Sequence, residues 1–299
     1  MAKVVPELVR KYNIGTFKKL LDHKEAIMYA LSVGCNQDPM NKGDLKFTYE
    51  NNPDFQIIQS FPSQFSVLDL EMIRKCPGLP DYNPMALLHG NQVIDFYSPL
   101  KIGQHLRSEN SIVDVADKKS GALILVESML YDEADTRVGR CRANLFIRGL
   151  GGFGDKGQVE QDRFPKPSSD KPIDEITLPI APNQAHLYRI ASGDVNPLHV
   201  DPDQAKEGGF DQPILHGLCT MGFSTRAYQT VFDHHSFSKI GTMFTAPTVP
   251  GMTLQVKFFD TENQNQKCFE TIAYKANEGI ESGNIIAKGF FETTYIHFT

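Results

Sequence analysis

Six consecutive residues bring together an acid, an amide and an imidazole: Asp194, Asn196 and His199, inside the run Tyr188-Arg-Ile-Ala-Ser-Gly-Asp-Val-Asn-Pro-Leu-His199. These residue types can move protons to and from one small molecule, and water is the smallest candidate. Gly193 can end a preceding helix in a left-handed conformation, and Pro197 fixes the backbone of a tight loop. The polar side chains between them can then project to one side. A second reading stays open, in which Asp194 only caps its turn and His199 is a satisfied core histidine.

Several elements must position this loop. A strand is predicted over residues 176–180 and a helix over 183–191, and after the loop Asp201-Pro-Asp-Gln-Ala-Lys suggests a short helix ended at Gly208-Gly209. Past Pro213-Ile-Leu-His-Gly217, apolar residues at helical spacing predict a long helix over 218–232, followed by strands over 240–244, 254–259, 269–274 and 285–296. In the first half, Phe17, Leu20, Leu21, Ile27, Met28 and Leu31 recur at helical spacing, so a first helix is expected from 16 to 33 with Gly34 as its stop. A short helix can follow Ser66, and strands are expected over 93–96, 108–115, 122–131 and 140–148. Residues 149–171 are rich in Gly, Pro and polar residues, without apolar periodicity, and read as an exposed connection. The division is therefore 1–153, a linker over 154–172, and 173–299.

Composition excludes several classes. A chain of 299 residues with 40% hydrophobic residues can bury a large core, and its net charge of −6 comes without a basic tract, so no nucleic-acid partner is expected. Five cysteines without a C-x-x-C pair argue for reduced thiols in an intracellular protein rather than a disulfide framework or zinc knuckle. No signal-peptide core and no run of 18 apolar residues is present, so no membrane insertion is expected. Gly149-Leu-Gly-Gly-Phe-Gly154 matches the dinucleotide fingerprint after a strand, but a linker rather than a helix follows, which argues against a nucleotide role. His234-His235 lack a third ligand at useful spacing, and no metal is expected. Cys219 has no adjacent base beyond His216 and reads as packing, while His216 reads as a residue that orients its loop.

The chain also repeats itself. Tyr29-Ala-Leu-Ser-Val-Gly34 aligns with Tyr188-Arg-Ile-Ala-Ser-Gly193 at an offset of 159, and Leu88-His-Gly90 with Leu215-His-Gly217 at 127. Pro99 and Gly103 align with Pro247 and Gly251 at 148, so about 21 residues are missing from the first copy, matching the long helix of the second. A sheet that loses such a helix is expected to expose an apolar trough suited to a fatty tail, unless neighbouring loops fill it. The 159 offset places Cys35, Gln37 and Met40 opposite Asp194, Asn196 and His199, so the first copy keeps the frame without the chemistry.

The run from Tyr188 to His199 followed by Ala205, with Pro213-Ile-Leu-His-Gly-Leu-Cys-Thr220, resembles the two signature blocks of the MaoC-like (R)-specific 2-enoyl-CoA hydratases, the hydratase 2 family in its two-copy eukaryotic form. The resemblance covers nearly the whole chain. It implies an α+β double hot-dog fold whose N-terminal repeat lacks the long central helix and binds the acyl chain, while the C-terminal repeat catalyses. It implies that Asp194 and His199 hold the catalytic water, that Asn196 supports them, and that the Gly217 backbone N–H polarises the thioester carbonyl. His89, Gly90, Lys118 and Phe244, with Val195, Pro197 and Leu198 of the loop, would line the acyl-CoA site; Lys118-Lys119 also reads as a plain charged hairpin turn. No cofactor is implied beyond the CoA of the substrate. A homodimer is expected, as is a stand-alone hydratase without dehydrogenase or sterol-carrier units. Family resemblance points to the peroxisome, but the C-terminus Ile-His-Phe-Thr is not a Ser-Lys-Leu address, so localisation stays open. The implied reaction is reversible hydration of trans-2-enoyl-CoA to (3R)-3-hydroxyacyl-CoA in fatty-acid β-oxidation. The rival classes are a hot-dog thioesterase and a non-catalytic acyl-CoA binding protein.

Overall fold

The computed structural model describes residues 3–66, 70–233 and 236–293. The His234-His235 pair, the end of the last predicted strand and the start of the helix expected after Ser66 lie outside these residues. Among the described residues, ten strands form one antiparallel sheet. They are β1 (Tyr12–Leu21), β2 (Leu87–Phe96), β3 (Gln104–Asp117), β4 (Gly121–Tyr131), β5 (Arg137–Arg148), β6 (Asp174–Pro179), β7 (Lys239–Phe244), β8 (Thr253–Asp260), β9 (Gln266–Tyr274) and β10 (Asn284–Glu292).

The strand order is β1-β3-β4-β5-β2-β7-β10-β9-β8-β6, so each half runs in the same internal order, and the two halves meet where β2 pairs with β7. That junction runs from Asn91 opposite Met243 to Asp95 opposite Lys239. The two repeats therefore join edge to edge within one chain. Together the halves form the double hot-dog architecture of the α+β class.

Seven helices accompany the sheet among the described residues: α1 (Pro6–Val9), α2 (His23–Ser32), α3 (Leu45–Thr48), α4 (Leu70–Arg74), α5 (Gln184–Ser192), α6 (Pro202–Glu207) and α7 (Gly217–Val231). None is long and apolar enough to cross a membrane. The repeat is visible in the helices as well, because α2 and α5 both close on a left-handed glycine, Gly34 at φ 88° and Gly193 at φ 78°. Glycine tolerates this conformation without the Cβ clash other residues meet.

α7 is the core helix of the second half, with every residue from Cys219 to Gln229 buried. Buried hydroxyls on such a helix need acceptors, and Ser224 and Thr225 donate to the Thr220 and Met221 carbonyls at 2.9 Å. Val33 of the first repeat packs where a Cβ on Gly222 would stand, which lets the two halves approach closely.

Three expectations change. Residues 12–21 form a strand, with the helix confined to 23–32: along β1 buried and exposed positions alternate, and Asp22 caps α2 by accepting the Glu25 N–H at 2.8 Å. The apolar trough expected in the first half is largely occupied by loops, with a cavity of about 280 Å³ left between Phe55, Ile57, Phe96, Leu100 and Ile102. No described helix longer than five residues lies between α2 and β2. Instead Phe47, Ile57, Ile58, Phe61 and Phe65 join Ile94, Leu106 and Leu130 of the sheet in the main core.

The third change concerns the linker, which is exposed to half-buried as expected but is anchored across the sheet as a strap. Asp162, with 6% of its side chain exposed, bonds Arg142 of β5 at 2.6 Å and Lys239 of β7 at 3.0 Å, bridging the two repeats. Phe164 packs edge-on against Phe290, and Asp155 pairs with Arg10 at 2.7 Å. In the same strap the Gly152 and Gly154 N–H groups donate to the Asp117 carboxylate, so the glycine-rich run binds a side chain of its own chain.

Candidate active site

The loop after α5 is built from short local bonds. Ser192 Oγ accepts the Asp194 N–H at 3.2 Å, Asp194 Oδ1 accepts the Asn196 N–H at 2.9 Å, and Asn196 Oδ1 accepts the Leu198 N–H at 3.1 Å. Asp194 is thus a turn cap through one oxygen, while its Oδ2 points toward His216. The turn-capping reading of Asp194 holds for Oδ1, and Oδ2 carries no hydrogen bond within the loop.

His199 is oriented from behind. Its Nδ1 lies 2.9 Å from the Ile214 carbonyl, which can only accept, so Nδ1 carries the proton and Nε2 is left bare. Burial pushes the His199 pKa below the usual 6.5, opposed by the nearby Asp194 charge. His216 stacks on His199 with ring centroids 3.8 Å apart and planes inclined by 28°. It is 2% exposed, and burial, then the neighbouring His199, hold its pKa well below 6.5. Its Nε2 lies 4.0 Å from Asp194 Oδ2.

A carboxylate oxygen of Asp194 and one nitrogen from each imidazole lie within 4.8 Å of one another, a composition that invites comparison with a metal site. The ring planes decide against it. A ligated ion sits in the plane of each imidazole at roughly 2.0–2.1 Å, and two nearly parallel rings stacked at 3.8 Å have no common point at that range.

Gly217 opens α7 immediately after His216. The first N–H groups of a helix have no intrahelical acceptor, no side chain caps this end, and the positive end of the helix dipole points outward here. A Cβ on Gly217 would stand 3.3 Å from the Phe244 ring, so glycine keeps the donor accessible beside that phenyl group.

A cavity of about 320 Å³ collects these groups: Asp194, Asn196, His199, His216 and Gly217 line it, together with His89, Leu198 and Phe244 of the expected set. His89 packs edge-on against Phe244 at 5.0 Å, and burial lowers its pKa to about 4. The cavity does not reach the remaining expected residues. Gly90 lies in the bulge of β2, Val195 is 72% exposed, Pro197 opens a 3-10 turn, and Lys118 belongs to the β3–β4 hairpin turn, where its N–H donates to the Gly121 carbonyl. The cation that does line the cavity is Arg148 at the end of β5, which the sequence did not single out. Its outward direction depends on strand register, which a lone Arg in an apolar run does not reveal.

Two hot-dog units fused into one sheet, with an acid–imidazole loop meeting an uncapped helix N-terminus in one cavity, define a MaoC-like double hot-dog protein. Comparison with known proteins agrees. Residues 20–149 match the MFE-2 hydratase 2 N-terminal domain and residues 163–284 the MaoC like domain. The chain is 36% identical to the peroxisomal multifunctional enzyme type 2 of Mus musculus, over 85% of this chain and 35% of that one, so it spans about a third of that relative. It is 34% identical to the probable enoyl-CoA hydratase 2 of Dictyostelium discoideum, over 84% of this chain and 85% of that one. A crystal structure of a MaoC-like dehydratase from Phytophthora capsici superposes with a TM-score of 0.80 at 29% identity, covering 96% of this chain and 97% of that one. The chain belongs to the enoyl-CoA hydratase 2 family of hydro-lyases.

Proposed function

We propose that this chain reversibly adds water to trans-2-enoyl-CoA, giving (3R)-3-hydroxyacyl-CoA, in fatty-acid β-oxidation. The observation that carries the proposal is the tautomer of His199: with Nδ1–H committed to the Ile214 carbonyl, a neutral Nε2 is available to take a proton beside the free oxygen of Asp194. Water adds to C3 as its proton passes to this pair, and the pair returns a proton to C2. The negative charge that develops on the thioester oxygen is met by the Gly217 N–H and the dipole of α7. Asn196 supports the loop through its bond to Leu198. No cofactor enters these steps, since CoA is part of the substrate.

The acyl chain enters the cavity over Phe244 and His89, with further room limited by the core segment around Phe61 and Phe65. A homodimer of such double units and a peroxisomal location belong to the same proposal; relatives bearing peroxisomal names support the latter.

Turnover of crotonyl-, decenoyl- and branched enoyl-CoA with chiral analysis of the product tests the reading. The expected product is the (3R)-hydroxyacyl-CoA. An (S) product, release of free CoA, or tight binding without turnover would each replace it.

Two further results are expected. Because the His199 pKa is lowered, the neutral base persists to more acidic pH, so the midpoint of the acid limb of kcat/KM lies below pH 6.5. A limb above 6.5, seen in a pH–rate profile, would contradict this. Arg148 can meet a CoA phosphate or the polar pantetheine arm at the cavity wall. Arg148→Ala is expected to raise KM about three- to ten-fold with kcat nearly unchanged, an effect that shrinks with added salt as screening reduces the charge contact.

A further inference from the structure

Resting on the hydratase reading, we propose that His216 is a third contact of the reacting water, donating its ring N–H to the water oxygen. His216 is 2% exposed, yet neither ring nitrogen has a hydrogen-bond partner among the described residues. A buried polar group left so costs about 1–3 kcal/mol, and such groups in native proteins mark places where a ligand or water completes the set.

The geometry names the occupant. The 4.0 Å between His216 Nε2 and Asp194 Oδ2 is too long for a direct hydrogen bond. One water bridges such a gap with two bonds of about 2.8 Å.

The hydrogen-bond inventory then closes around one molecule. Water has two protons and two lone pairs. Its protons go to the two acceptors in reach, Asp194 Oδ2 and the bare Nε2 of His199. A donor at His216 Nε2 takes one lone pair, and the remaining lone pair is left to face C3. Neutral His216 carries one N–H, so it can fill this role without adding a charge. In the dehydration direction the same N–H is positioned to stabilise the departing hydroxyl. Tyr188, whose ring centroid lies 4.9 Å from that of His216 with the planes inclined by 46°, packs against it.

A purely structural His216, present only to support the His199 ring, makes the opposite prediction from a water contact. His216→Phe keeps an aromatic ring to stack on His199 and removes the N–H. His216→Gln loses the stack and keeps an N–H near the position of Nε2.

The test is steady-state hydration of crotonyl-CoA by the full chain and both variants, with thermal melts of each. The expected result is a kcat about 10²-fold lower for His216→Phe, as for loss of one positioned donor, with KM within about three-fold and His216→Gln within about ten-fold of wild type. If the melt shows that the Phe variant does not fold, His216→Leu, which also lacks the N–H, takes its place; if the Gln variant does not fold, the Phe variant is compared with wild type, and a kcat within about three-fold of wild type overturns the proposal. A Phe variant as fast as or faster than the Gln variant overturns the proposal while the hydratase reading stands. Wild-type protein with no enoyl-CoA turnover overturns both.

Discussion

Asp194→Asn is expected to lower kcat/KM for crotonyl-CoA hydration by at least about 10²-fold, and His199→Gln by a similar factor. Each corresponds to about 2.7 kcal/mol of transition-state stabilisation or more. The asparagine variant isolates the charge. Its Oδ1 can still accept the Asn196 N–H, so the loop keeps the bond that shapes it at 2.9 Å. His199→Gln removes the titratable nitrogen that the Ile214 carbonyl holds in the reactive tautomer. Because the two groups act on one water, the double variant is expected to lose far less than the product of the single losses. Steady-state rates with matched melting curves check all three. Activity that survives in both single variants would end the assignment of Asp194 and His199 as the reacting pair.

The placement of Asp194 beside His199 was legible because both lie within six residues of one loop, and local turn chemistry fixes their mutual placement. Gly217 was legible as the start of a long amphipathic helix. What escaped were relations made across the fold. His216 shows as a histidine before that helix, but its stacking on His199 requires residues 15 or more positions apart to be brought together by α6 and the returning chain. Lys118 and Arg148 illustrate the same limit: Lys118 sits in a hairpin turn away from the cavity, whereas Arg148, opposite Gly121 of β4 and bonded to the Met85 carbonyl, lines it.

The misreading of β1 has a different origin. Phe17, Leu20 and Leu21 satisfy helical spacing as well as they satisfy an edge strand with one half-covered face, and the short apolar run does not separate the two. Its partner β6 was read correctly, so the repeat itself carried the missing information: the strand before α5 requires one before α2. The strap over 154–172 escaped because its anchors, Asp155, Asp162 and Phe164, follow no period. The lost helix was read from the offsets alone, whereas what fills its place was not, since the apolar residues from Phe47 to Phe65 lie among turns.

That replacement of a helix by loops leads to the largest stability effect expected outside the cavity. Arg226 projects from α7 into the first repeat, where it donates to the Gly34 carbonyl at 2.6 Å and to Asp44 Oδ2 at 2.8 Å. Asp44 also accepts the Asn36 N–H at 2.9 Å, and the two side chains are only 6% and 3% exposed. Asp44→Ala leaves a guanidinium buried against the loop without its counter-charge, a change that costs about 3–5 kcal/mol. For a chain of this size the expected fall in Tm is roughly 10 °C. Arg226→Met alone leaves the opposite charge uncompensated and is expected to cost a similar amount. The double variant Asp44→Leu with Arg226→Met removes both charges and keeps the volume apolar, so it should recover most of the loss. Thermal and urea melts of the three variants measure this coupling. A Tm unchanged in both single variants would show that the loop from Gly34 to Thr48 does not depend on this pair to dock against α7. A large loss in each single variant with recovery in the double would show that one buried ion pair joins α7 to the repeat that has no such helix of its own.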